Sequence, residues 1–223
     1  MAEKRKESRL LELFKTLNEN FGKMYWWPAD SLDEMVIGAI LTQNTSWKNV
    51  EKAISVLKKD NMDNFETILS LDKNLLESLI RPAGFYRQKA ERLKTAARFF
   101  LKNRFVDRDM LLSLNGIGKE TADSILLYGF NKPVFVVDAY TKRILTRHKI
   151  ITNSDYDSVQ QLFHDNLSKS VKLFNQYHAL IVKTAKLYCK KKPICDKCPL
   201  LSDLIDNKIS PLAIMRPLRN KKL

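Results

Sequence analysis

Asp138 stands in the setting that most invites chemistry. It follows the apolar run Val134–Val137, comes just before a predicted amphipathic helix, and lies sixteen residues after the segment Leu114-Asn115-Gly116-Ile117-Gly118-Lys119-Glu120-Thr121-Ala122. A carboxylate at a helix start is favoured in its ionised form by the positive end of the helix dipole. Beside a sugar, such an anion lowers the barrier to breaking an N-glycosidic bond, because positive charge builds on the sugar, and it can orient the attacking water. The same residue type also serves as a plain helix cap. Gly116 and Gly118 close a tight turn that starts a helix, a geometry that aims backbone N–H groups at an anionic phosphate. A β-carbon at either glycine is expected to strain the turn if φ is positive there.

The composition fits a polyanionic partner. Against 25 Asp+Glu stand 39 Lys+Arg, a net charge of +14, and from Lys186 onward ten Lys/Arg face only Asp196, Asp203 and Asp206. Half of the excess therefore sits in the last sixth of the chain, which points to nucleic acid. No run approaches the roughly 18 apolar residues of a membrane span. Met1–Arg9 lacks the apolar core of a secretory signal, and three cysteines clustered near one end are no disulfide framework, so an intracellular, cytoplasmic protein is expected.

Helical periodicity dominates, and 6 Gly and 7 Pro interrupt it little in 223 residues. Leu10, Leu13, Phe14 and Leu17 mark a first helix ending near Gly22. Asp30 or Ser31 caps a second that carries Leu32, Met35, Val36, Ala39 and Ile40. Further patterns cover 48–58, 64–70, 75–79, 88–102, 108–114, 119–128, 139–147, 155–167 and 172–188. Val134–Val137 has no partner strand and reads as buried loop. The chain is predicted to be all-α.

The hairpin segment and Asp138 together resemble the helix-hairpin-helix, Gly/Pro-rich loop and Asp signature of the endonuclease III superfamily of DNA glycosylases. Trp26-Trp27-Pro28, Leu41-Thr42-Gln43-Asn44-Thr45 and Gly116–Glu120 look like its 3-methyladenine DNA glycosylase branch. The resemblance covers about residues 25–200. It implies two helical lobes with a DNA-binding cleft between them: a continuous one over 31–134, with the hairpin at about 108–128, and one built from 1–30 plus 135–223. The implied activity is base excision repair on double-stranded DNA containing a damaged base, by a monomer.

Several residues then gain implied roles. Asp138 becomes the catalytic carboxylate. Bifunctional members carry a lysine on the hairpin's second helix that forms a Schiff base with the sugar. Its place here holds Glu120, which cannot form the imine, and Lys119 lies about 100° around the helix. A monofunctional enzyme acting on an alkylated purine is expected. The rivals are an endonuclease III-like glycosylase/lyase on oxidised pyrimidines, with Lys119 recruited, and a silent DNA-binding protein. Trp26, Trp27 and Trp47 are core residues or a stacking platform for a flipped base, which suits a cationic alkylated purine. Gln43 or Asn44 would be the polar wedge that fills the gap left in the duplex. Gly116, Ile117, Gly118, Lys119 and Thr121, with Arg87 and Lys89 of Arg81-Pro82-Ala83-Gly84-Phe85-Tyr86-Arg87-Gln88-Lys89, would touch phosphate. Cys189, Cys195 and Cys198 look like a degraded [4Fe–4S] loop whose fourth position is Leu204. Catalysis is expected to need no cofactor.

Overall fold

A computed structural model describes residues 2–24, 26–103, 105–211 and 214, with side chains from residue 9 onward. Among the described residues the chain is helical throughout, with no strand. The α-helices are α1 (Ala2–Phe21), α2 (Leu32–Leu41), α3 (Trp47–Lys59), α4 (Phe65–Ser70), α5 (Lys73–Leu79), α6 (Tyr86–Lys102), α7 (Arg108–Leu112), α8 (Lys119–Ser124), α9 (Ala139–Arg147), α10 (Tyr156–Asn166), α11 (Val171–Leu187) and α12 (Leu201–Asp206). Two compact units result: Trp27–Lys132, and the two chain ends Met1–Trp26 and Pro133–Leu223.

The internal unit is built around α2. Every residue from Glu34 to Leu41 is buried, as a helix must be when its apolar residues run all the way round. Ser31 caps it by accepting the Glu34 N–H at 3.1 Å, and Glu34 Oε2 accepts the Asp30 N–H at 2.7 Å. This reciprocal arrangement satisfies N–H groups at the helix start. After α8 the chain widens into a π-turn at Ile125–Gly129, which the 3.6-residue pattern over 119–128 does not show. Gly129 lets the turn lie close to α2, where a β-carbon would press on the Leu32 side chain.

The other unit packs α1 against α10 and α11 through Leu10, Leu13 and Leu17. The Tyr177 hydroxyl donates to the Leu10 carbonyl at 2.8 Å. Gly22, at φ +66°, ends α1 by donating its N–H to the Asn18 carbonyl, the usual left-handed stop. Val134–Val137 is extended but is no strand. Side chains of α10 satisfy its backbone instead: Gln160 Nε2 donates to the Phe135 carbonyl at 2.7 Å, and the Phe135 N–H donates to His164 Nε2 at 3.0 Å. The Phe135 ring stacks on Phe163, with centroids 3.6 Å apart. The short α12, absent from the sequence reading, buries Leu204.

Candidate DNA interface and active site

The hairpin lies in the internal unit, with α7 leading through Leu114–Gly118 into α8. The two glycines differ. Gly116 has φ +84°, and a β-carbon there would run into the Arg92 side chain. Gly118 has φ −89°, ψ 176° and open space around its missing β-carbon. The expectation that both are conformationally obligatory is corrected: only Gly116 is. Ile117 is buried, and its N–H donates to the Leu114 carbonyl at 3.0 Å. Thr121 is buried too, and its hydroxyl accepts Gln43 Nε2 at 3.0 Å. Gly118, Lys119 and Glu120 are exposed.

Gln43 and Asn44 part company in the structure. Gln43 Nε2 also donates to the Gly116 carbonyl at 2.9 Å, while its Oε1 accepts Arg92 Nη1 at 2.5 Å. Its amide is thus occupied at both ends in bracing the hairpin. Asn44 is exposed at φ +53°. Lys89 is a correction. Instead of meeting phosphate it is 1% exposed and donates to the Leu41 and Ala83 carbonyls, both at 2.8 Å. Burial, helped by the nearby Arg92 charge, pulls its pKa down to about 8. Two residues earlier in α6, Arg87 has a side chain that is 80% exposed, with its Nε 3.9 Å from Glu77 Oε2.

Two residues of this region carry no sequence assignment. Arg92 is the strut between Gln43 and Gly116. Phe85 is 62% exposed at φ +48°, a strained, solvent-facing ring between Arg81 and Arg87 of α6. Apolar side chains so presented are suited to wedging between base steps.

The three tryptophans divide between the units. Trp27 and Trp47 meet edge to face with centroids 5.0 Å apart, and Tyr128 of the π-turn lies 5.4 Å from Trp27. All three are partly exposed. Trp26 belongs to the other unit, with Lys186 Nζ 6.0 Å from its ring. Tyr128 had no distinguishing sequence pattern, because a π-turn shifts it off the register of α8.

Asp138 is both a cap and a buried charge. It is 8% exposed, and its Oδ1 accepts the Thr141 N–H of α9 at 2.7 Å. Its Oδ2 faces His178 Nε2 of α11 at 3.6 Å. Burial works against the ionised form, but His178 and Thr141 outweigh it and hold the carboxyl below the usual carboxylate range. His178 is a residue that sequence reasoning missed. Its place on the buried stripe Phe174, Tyr177, His178 and Ile181 was the available signal that it needs an interior partner.

Cys189, Cys195 and Cys198 line a cavity of about 20 Å³ together with Arg147, His148 and Leu204. A [4Fe–4S] cluster takes four thiolates. Leu204, 2% exposed, offers no ligand and packs with Cys195, Ile209 and Ile214. Among the described residues no three His, Cys, Asp or Glu converge as metal ligands. The donor set does not fit the cluster. The cysteine loop is fastened by side chains instead. Arg147 Nη1 donates to the Lys190 carbonyl at 2.6 Å and Arg143 Nε to that of Cys189 at 2.7 Å. Arg9 grips Asp203 through Nε at 2.7 Å and Nη2 at 2.8 Å, and His148 Nδ1 lies 2.6 Å from Asp203 Oδ2. Residues 215–223 of the basic tail lie outside the described residues.

Known proteins resemble this chain in sequence and in fold. The family model of the HhH-GPD superfamily base excision DNA repair protein matches residues 37–169. A protein of Methanocaldococcus jannaschii named "Putative DNA repair glycosylase MJ1434" is 46% identical over 205 residues, covering 86% of this chain and 93% of its own. An endonuclease III of Sulfolobus acidocaldarius is 32% identical over 172 residues, covering 73% and 77%. Among solved structures, the H. pylori 3-methyladenine DNA glycosylase MagIII bound to 1,N6-ethenoadenine superposes with a TM-score of 0.72 at 31% identity, covering 81% of this chain and 97% of that one. With a glycine hairpin braced from α2 and α6, an ionised Asp capping α9, and a family match over more than half its length, the chain belongs to the HhH-GPD superfamily and is a base excision repair DNA glycosylase.

Proposed function

We propose that the chain is a monofunctional DNA N-glycosylase whose substrate is an alkylated purine. The observation that carries the monofunctional part is Glu120. It is exposed in the first turn of α8, where the bifunctional pattern would have its amine, and a carboxylate forms no imine. In the proposed reaction the bond between C1′ and the base nitrogen breaks, the cationic base leaves with the bonding pair as a neutral molecule, and water adds at C1′. Asp138 stabilises the positive sugar and accepts a proton from that water. An abasic site on an intact strand is the product. Trp27, Trp47 and Tyr128 support the alkylated purine, because electron-rich rings favour a cationic base. The similarity to an enzyme named for 3-methyladenine points the same way. Asn44 and Phe85 are the proposed wedges. No resident cluster is proposed.

Lys119 is also exposed beside Glu120, which favours a lyase as the second reading. Lesion-bearing duplexes, incubated with and without alkali, test both. Base release with strand breakage only after alkali, and little borohydride-trapped adduct, is the expected result. Efficient trapping that disappears in Lys119→Ala would replace the proposal by the lyase. Asp138→Asn should bind lesion DNA normally yet lose excision by about two powers of ten or more; an unchanged rate would reduce Asp138 to a cap.

A further inference from the structure

We propose that His178 is a positioning residue for Asp138, keeping the buried carboxylate charged and aimed for its work in base release. The inference rests on the proposed role of Asp138. Only one oxygen of that carboxylate has a backbone donor, the Thr141 N–H at 2.7 Å. The second, Oδ2, is turned toward α11, where His178 Nε2 lies 3.6 Å away. Both side chains are largely buried, 6% exposed for His178 and 12% for Asp138, so Oδ2 has little bulk solvent to stand in for the imidazole. The imidazole is itself held: the Phe135 ring meets it edge to face, with centroids 6.4 Å apart.

The Thr141 side chain of α9 also favours the charged form of Asp138, while other polar and charged groups on the neighbouring elements have partners of their own. Of α10, His164 accepts the Phe135 N–H and the Tyr156 hydroxyl lies 3.5 Å from the Val137 nitrogen. Tyr177 of α11 donates to Leu10 of α1, and Arg143 of α9 donates to Cys189. Lys183, one turn along α11, sits over the Phe21 ring. Among the ion pairs described within this unit, His178 is the partner that Asp138 has. A buried carboxylate deprived of that companion should protonate more readily, since burial then prevails.

Single-turnover base release measured against pH provides the test, with duplex affinity and melting temperature followed in parallel. The wild-type rate should stay level on acidification to below 3.8, the ordinary carboxylate value. In His178→Phe, which keeps the ring volume, an acid limb should appear about one to three pH units higher, with affinity for undamaged duplex unchanged. His178→Gln keeps an N–H donor and should bring the limb back down. If His178→Phe does not fold, His178→Asn replaces it, since its amide is too short to reach Oδ2 and should show the same raised limb. An acid limb unmoved in every folded variant, with activity following melting temperature alone, would leave His178 a packing residue. That result alongside an inactive Asp138→Asn overturns this inference alone, whereas a fully active Asp138→Asn overturns the reading beneath it.

Discussion

Arg92 lies across the α-carbon of Gly116, in the space a β-carbon would occupy, and the same guanidinium holds Gln43 at 2.5 Å. Hairpin and α2–α3 loop are therefore braced by one side chain. Gly116→Ala must both strain a positive-φ position, at about 1–2 kcal/mol, and displace that brace. It should weaken binding to undamaged and damaged duplex alike and lower the melting temperature, while Gly118→Ala should stay near wild type in both. Equal effects of the two substitutions, measured by fluorescence anisotropy, would contradict the structural difference between them.

Trp27→Ala and Trp47→Ala should lower affinity for lesion-bearing DNA by about 1–3 kcal/mol, the value of a stacked base, with little change for undamaged duplex. Comparable weakening on both DNAs, with a lower melting temperature, would identify the pair as core.

Counterion release separates Arg87 from Lys89. With about 4 to 6 phosphate contacts, log K against log salt should have a slope of roughly −3.6 to −5.4. Arg87→Ala should reduce that slope by about 1. Lys89→Met should leave the slope alone but destabilise the fold by about 1–3 kcal/mol for each carbonyl left without a donor. A salt slope that changes for Lys89 and not for Arg87 would reverse these assignments.

Asp203 gives the acid response of the cysteine loop. Burial opposes its charge, but Arg9 and His148 prevail and bring its pKa from 3.8 to about 2. A depressed carboxylate stabilises the folded state fully above pH 3.8, and that contribution fades as pH falls toward 2. Asp203→Asn should remove about 2 kcal/mol at neutral pH, and chemical denaturation should show the gap to wild type closing through that acid window. A gap independent of pH would mean that the ion pair is not its source.

Periodicity disclosed most helices because their apolar stripes are local: Leu10, Leu13 and Leu17 need only one another to be seen. Gly116 and Asp138 were visible for a similar reason, since turns and caps act over a few residues. The partners of these groups were not. Lys89 reads as a basic surface residue until α6 is packed against the end of α2, and His178 lies forty residues from the carboxylate it serves. Tyr128 was hidden by the π-turn, whose additional residue breaks the helical register. Asn44 and Gln43 are adjacent and chemically alike, so only the placement of Arg92 and Gly116 tells them apart.

The division of the chain into an internal unit and one made from both ends also orders events during synthesis. Trp27–Lys132 leaves the ribosome with all its internal partners in hand, whereas α1 must wait for α11, since Leu10 meets Tyr177 only after 167 further residues. Until both α10 and α11 have emerged, the stripe of Leu10, Leu13 and Leu17 lacks its full apolar cover. Growing chains stalled before Val171 should thus contain a finished hairpin body and an adhesive amino-terminal helix, a natural station for chaperone capture.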